Sequence, residues 1–195
     1  MGRRSDHSRG ELEALIVAEG HRQIAEVGFA RFSAREVAKR IGYSIGTLYN
    51  VFGSYDGLML AINARTLTQW AEHLRAQLAK AGEDRIAALV RGYFDFATEN
   101  YNAWAALYDH RLPGGAPAPD WYQELAADLI GIVAGEIAAA VPERARPAAV
   151  PLARSLVATV HGHCVYALNR TFRLLGEAAP FEAALARVRE AIAAA

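Results

Sequence analysis

The sequence predicts an all-α protein on three observations. Apolar residues recur at intervals of three and four along almost the whole chain beyond residue 52. No alternation of apolar and polar residues of the kind a half-buried strand needs stands out. Residues 34–52 hold two short apolar faces interrupted by a glycine. With 195 residues, 53% of them hydrophobic, the chain can bury a sizeable core and has room for a small helical unit joined to a larger one. The boundary is expected just after Phe52, giving domains over residues 1–53 and 54–195.

The first ten residues, MGRRSDHSRG, carry Arg3, Arg4 and Arg9 against a single Asp6 and hold little that could pack, which fits equally an arm able to reach phosphates or a minor groove and a solvated disordered tail. Val37 and Ile41 lie four apart and share one face of a helix that Ser33 can cap. Gly42 can end that helix, because glycine takes a left-handed turn without a Cβ clash, and small Ala38 stands where a neighbouring helix must come close. Leu48, Val51 and Phe52 repeat the spacing after the break, with Ser44 as the next cap. Residues 54–79 place Leu58, Ile62, Leu67, Trp70, Leu74 and Leu78 along one side of a long helix. Residues 84–100 follow with Ile86, Leu89, Val90, Tyr93, Phe94 and Ala97 as their stripe, and residues 102–111 make a short helix. Residues 113–119, PGGAPAP, are expected to be non-helical. A helix opened by Asp120 should run to about residue 140 and stop at Val141 and Pro142, and the last two are expected over residues 147–175 and 180–195.

Two short helices joined by three residues must cross steeply, and the second leaves Ser44, Ile45, Thr47, Tyr49 and Asn50 free between its buried positions. That is the residue order of a helix-turn-helix, whose second helix enters a major groove. From Ile24 to Ala61 the chain resembles the TetR/AcrR family of bacterial transcriptional regulators. Gly42, Ser44, Gly46, Thr47, Leu48, Tyr49, Phe52 and Ser54 follow the family's pattern, and GFARFSAREVAKRIG looks like the end of its first helix and its second helix. The resemblance implies a three-helix reader with DNA-facing Ser33, Arg35, Ser44, Ile45, Thr47, Tyr49 and Asn50, followed by a helical domain for effector binding and dimerisation. Tyr55 stands where the family usually carries a lysine, so a phenol able to donate one hydrogen bond replaces a cation at that DNA-binding position. Ile45 and Val51 also depart from the pattern, and the reader carries no charge from Ser44 to Phe52. Bidentate pairing to guanine is then unavailable from this helix; Asn50 is expected to favour adenine, and Ile45 and Thr47 to meet thymine methyls. Cations must come from the flanks, from Arg35, Lys39 and Arg40 and from Arg3 and Arg4, and binding should weaken as salt rises.

Aromatic and polar side chains gather in the central helices, at Tyr93, Phe94, Phe96, Tyr101, Trp104, Tyr108, His110, Trp121 and Tyr122, with His161, Cys164 and Tyr166 on a later one. An apolar cavity with a few polar groups could be built from them, although aromatics at helical spacing also serve as plain core. With the resemblance, this nominates Trp70, Phe94, Tyr101, Trp104, Tyr108, Trp121, His161 and Cys164 as the effector-binding residues. HGHC at 161–164 has the residue types of metal ligands, but on a helix its two histidines point to different faces, so neither a metal nor another cofactor is expected. Two apolar stripes close the chain: Leu152, Leu156, Val160, Val165, Leu168 and Phe172, then Phe181, Leu185, Val188 and Ile192. They predict a four-helix homodimer interface unless they bury in the chain's own core.

Composition narrows the function classes. A formal net charge of zero argues against nonspecific coating of nucleic acid and favours a local reader. The single Cys164 leaves no internal disulfide framework and suits a reducing cytoplasm. No secretory signal and no bilayer-spanning apolar run is evident, so a cytoplasmic protein without a membrane partner is expected. No paired nucleophile and base, phosphate-cradling loop or zinc set appears, so no catalytic residue is assigned. The expected function is that of a homodimeric repressor that binds a near-palindromic double-stranded DNA operator and responds to a small-molecule effector. The alternative is an all-helical small-molecule binding protein or enzyme with no DNA-binding role.

Overall fold

A computed structural model describes residues 7–195; residues 1–6, with Arg3 and Arg4 of the expected arm, lie outside the described residues. Among the described residues regular structure is helical throughout, with ten α-helices: α1 Arg9–Val27, α2 Ala34–Arg40, α3 Ile45–Phe52, α4 Tyr55–Lys80, α5 Arg85–Glu99, α6 Tyr101–Asp109, α7 Asp120–Ala140, α8 Ala149–Leu168, α9 Thr171–Leu175 and α10 Pro180–Ala193. Packing divides the chain into two compact units, one of residues up to Leu67 with Asn100–Tyr122, the other of Thr68–Glu99 with Gln123–Ala195.

In the first unit the chain enters α1 sooner than its charge suggests. Ser8 and Glu11 form a capping box, Ser8 Oγ accepting from the Glu11 N–H at 3.3 Å and Glu11 Oε2 accepting from the Ser8 N–H at 2.7 Å. Residues 8–10, expected in the arm, therefore belong to the cap and first turn, because two otherwise orphaned donors are satisfied there. Gly28 ends α1 at φ 76°, and Gly42 makes the turn between α2 and α3 at φ 77°, both in the region glycine occupies without strain. The core unites Ile16 and Ile24 of α1, Val37 and Ala38 of α2, Leu48 of α3, Leu58 and Ile62 of α4, and Ala103 and Ala106 of α6. Gly20 permits a close approach of α1 to α4, since a Cβ there would stand 2.4 Å from Ile62 Cδ1.

Polar contacts fasten this unit as well. Asn102 Nδ2 donates to the Ala25 carbonyl at 2.8 Å, Asn63 Nδ2 donates to the Ala106 carbonyl at 3.4 Å, and His110 Nε2 lies 3.0 Å from Asp56 Oδ1 in the first turn of α4. Arg40 of α2 reaches Glu19 at 3.3 Å and Glu26 at 3.0 Å on α1, besides Glu36 on its own helix at 3.2 Å.

In the second unit α8 and α10 pack on each other and on α5. Trp70, Leu74, Leu89, Tyr93, Phe96, Ile137, Leu156, Val160, Leu185 and Val188 are buried there. The helix expected over 147–175 is not continuous. A 3-10 segment, Glu143–Ala148, carries Pro147, and α8 starts only at Ala149. After Leu168 the chain breaks at Arg170, φ 65°, where Asn169 Oδ1 accepts from the Thr171 N–H at 3.0 Å and so offers the backbone an alternative to another helical turn. In the first unit the PGGAPAP segment also differs from expectation, because Pro113–Gly115 closes one 3-10 turn with Gly114 at φ 64°. A proline at its start loses nothing, since that N–H has no partner in such a turn.

Candidate nucleic-acid interface and effector cavity

The reader face is built by two caps. Ser44 Oγ accepts from the Thr47 N–H at 3.1 Å and lies 2.9 Å from Thr47 Oγ1, which starts α3 and ties the two hydroxyls together. Ser33 Oγ accepts from the Glu36 N–H at 3.3 Å to start α2. Its own N–H donates to Gln23 Oε1 at 2.8 Å, and Gln23 is almost fully buried in α1. Gln23 escaped the sequence reading, yet a polar residue beside Gly20 and Ile24 on the inward side of an amphipathic helix is a signal that a buried hydrogen bond is needed.

Among the expected DNA-binding residues, Ser44, Tyr49, Asn50, Arg35 and Tyr55 are exposed, while Ser33, Ile45 and Thr47 are half-buried. Leu48 between them is fully buried, so α3 has one face in the core and an opposite face with no charge. The Tyr55 ring rests 6.1 Å from that of Phe32. Burial, then Tyr49 and Asp56, push its phenol pKa up, so the hydroxyl keeps its proton and can donate. Lys39 is 80% exposed, whereas Arg40 is held by its three carboxylates.

The eight expected effector-binding residues fall into two groups. Tyr101, Trp104, Tyr108 and Trp121 belong to the first unit, and Trp70, Phe94, His161 and Cys164 to the second. In the first group Trp104 is buried, with Tyr108 at 5.4 Å and Tyr101 at 6.3 Å between ring centroids, and Tyr101 and Trp121 are exposed. Tyr122, beside Trp121 at 5.6 Å, has its phenol pushed up to about 12 by burial and then by Tyr108. In the second group Trp70 stacks on Phe96 at 5.3 Å and meets the edge of Tyr93 at 4.9 Å, while Phe94 packs on Phe181 at 5.9 Å. His161 Nδ1 lies 2.8 Å from the Tyr93 hydroxyl, and burial lowers its pKa. Cys164 is fully buried and its thiol is pushed up to about 12, which keeps it protonated and inert.

A cavity does lie in the second unit, and its walls are other residues. Leu74, Leu89, Tyr93, Ile137, Leu156 and Val188, from α4, α5, α7, α8 and α10, border about 420 Å³ of unfilled space, mouth included. Trp70 and His161 are not in the wall, but both touch Tyr93, which is. Among the described residues no three His, Cys, Asp or Glu side chains gather as a metal site. The two terminal stripes are partly consumed inside the chain: Leu156, Val160, Leu185 and Val188 are buried, while Leu152, Val165, Leu168, Phe172, Phe181 and Ile192 are half-buried.

Two family models match the chain. "Bacterial regulatory proteins, tetR family" covers residues 16–62, and "Tetracyclin repressor-like, C-terminal domain" covers residues 86–189. The HTH-type transcriptional regulator Rv1816 of Mycobacterium tuberculosis is 30% identical over 145 residues, 72% of this chain and 62% of that protein, so the chain spans under two thirds of that relative's length. The HTH-type transcriptional regulator BetI of Stenotrophomonas maltophilia is 33% identical over 93 residues, 43% of this chain and 47% of that protein. Among solved structures, the candidate regulatory protein SCO4313 superposes with a TM-score of 0.71 at 26% identity, covering 92% of this chain and 96% of that one. The multidrug binding protein EbrR, solved with imidazole, shares the fold at a TM-score of 0.61 and 22% identity over 95% and 96% of the two chains.

Proposed function

The chain belongs to the TetR family of bacterial regulatory proteins, and from that premise we propose that it is a homodimeric, DNA-binding repressor released from its operator by a small molecule. The family is one of regulators rather than enzymes. The observation that carries the proposal is the uncharged outer face of α3, with Tyr49 and Asn50 exposed on a helix whose other side is locked by Leu48. Residues 1–53 act as the DNA-binding domain and residues 54–195 as the effector-binding and dimerisation domain. This division by role differs from the division by packing, in which α6 sits with the reader unit.

In this reading Asn50 pairs with an adenine edge, Ile45 and Thr47 meet thymine methyls, and Ser33, Arg35, Ser44, Tyr49 and Tyr55 hold phosphates and register, with Arg3 and Arg4 reaching further along the backbone. A two-fold dimer formed through α8 and α10 sets two α3 helices on a near-palindromic site. Effector binding acts by its different affinity for the operator-competent and operator-incompetent arrangements, which is the only way a ligand can shift such an equilibrium. No helix among the described residues is long and apolar enough to cross a membrane, and kinship with transcriptional regulators supports a place in the cytoplasm. Gel retardation of DNA from upstream of the protein's own gene tests the proposal. The doubly substituted Tyr49→Ala, Asn50→Ala chain should keep its wild-type melting and lose specific retardation; retention of full specific binding would overturn the reader assignment.

A further inference from the structure

The unfilled space in the second unit has an unusual wall. Every side chain that borders it is aliphatic except Tyr93: besides those named above, Ile86, Val90, Val133, Val157 and Val160 complete it. The phenol of Tyr93 is engaged with His161 Nδ1 at 2.8 Å. Burial holds the imidazole's pKa down, so the pair carries no charge at neutral pH.

The charged residues next in sequence to the wall are already committed elsewhere. Arg75, beside Leu74, meets Asp128 at 2.7 Å, and Arg85, beside Ile86, meets Glu136 at 2.6 Å. Arg91, beside Val90, lies 4.0 Å over the ring of Phe181. Arg187 and Arg189, on either side of Val188, pair with Glu190 and Asp84. An ionic head placed deep among these aliphatic walls would lose its water with no charged side chain in the wall to pair with, which is the costly way to bury a charge.

We propose that this cavity takes an uncharged, mainly aliphatic molecule, and that this molecule is the effector. The aromatic side chains Trp70 and His161 then stand behind the wall and hold Tyr93 in place, rather than forming the seat themselves. The inference rests on the reading that a small molecule controls operator binding, and it fixes that molecule's chemistry.

Three probes of equal chain length test it on the full chain at neutral pH by calorimetry: 1-octanol, octanoate and octylammonium. The alcohol should bind at least tenfold more tightly than either ion. Across 1-butanol, 1-hexanol and 1-octanol affinity should rise about fourfold per methylene until the space is full. Narrowing the cavity with Val157→Phe should weaken alcohol binding at least tenfold, with Ile86→Phe as a second variant and helical circular dichroism as the check on folding. An ion that binds as tightly as the alcohol, or no alcohol binding at all, would overturn the inference, and this comparison needs only the wild-type chain. Gel retardation separates the two readings. Alcohol binding that leaves operator retardation unchanged removes ligand control while the cavity's chemistry stands; release by octanoate or octylammonium but not by octanol keeps ligand control and removes this inference.

Discussion

Ser44 caps α3 with an oxygen that, in the proposed complex, stands at the helix end facing a phosphate. Ser44→Ala is expected to cost about 1 kcal/mol in urea denaturation and to weaken operator binding in the same preparation. Arg40 works between helices. Its guanidinium, followed by that of Arg22, holds the Glu26 carboxyl below its ordinary value of 4.5, so the pairing adds stability above that value and loses it as pH falls through the lowered one. Arg40→Ala should melt below wild type at neutral pH, with the gap closing in acid as Glu26 takes up its proton. His21 and His161 have the opposite sense. Burial, with Arg65 adding to it at His21, lowers both imidazoles from 6.5, so the folded chain resists protons that the unfolded chain accepts. Melting temperature should therefore begin to fall below about pH 6.5, before the carboxylates titrate. At this scale the caps and the buried Leu48 could be read from spacing alone, because capping is settled within four residues, whereas Ile45, expected to stand free, packs against the core. The commitments of Arg40 and the bond from Ser33 to Gln23 could not, since both depend on helices meeting across the fold.

Helix boundaries were readable where a cap or a glycine marks them: α4, α5 and α7 begin and end within a residue or two of the expected positions. The break between α8 and α9 was hidden because Asn169 and Arg170 are ordinary on a helix surface, and only the turn they make reveals them. Among glycines, Gly57 is the one whose role the sequence concealed most. A Cβ there would stand 2.2 Å from the Phe52 carbonyl oxygen, a backbone atom that cannot swing aside. Gly57→Ala should cost about 1–3 kcal/mol through this overlap and disturb the passage from α3 to α4. Gly10→Ala is the matched control, with nothing within 4 Å, and thermal melting of the two variants should move in opposite directions.

Over the whole molecule, fold class and family were readable from the helix-turn-helix and from helical periodicity, and the site of the cavity was not. Aromatic residues attract attention in a sequence, whereas a cavity is defined by aliphatic side chains from five helices that fail to fill the space between them. No local pattern reports such a failure. Operator affinity is a property of the same scale, since the net charge is zero and phosphate contacts add up over the surface. The logarithm of affinity should fall linearly with that of salt, and Lys39→Ala should flatten the slope by about one if it neutralises a phosphate, measured by filter binding at several salt concentrations.

Arg170 is, among the described residues, the one non-glycine residue with positive φ, held there by the turn that separates α8 from α9. For an arginine that conformation costs roughly 1 kcal/mol that a residue without a Cβ would not incur. The chain thus keeps a spot where heat tolerance could be raised by a single exchange to glycine, far along the sequence from α3 and outside the cavity wall, so a gain there leaves both untouched.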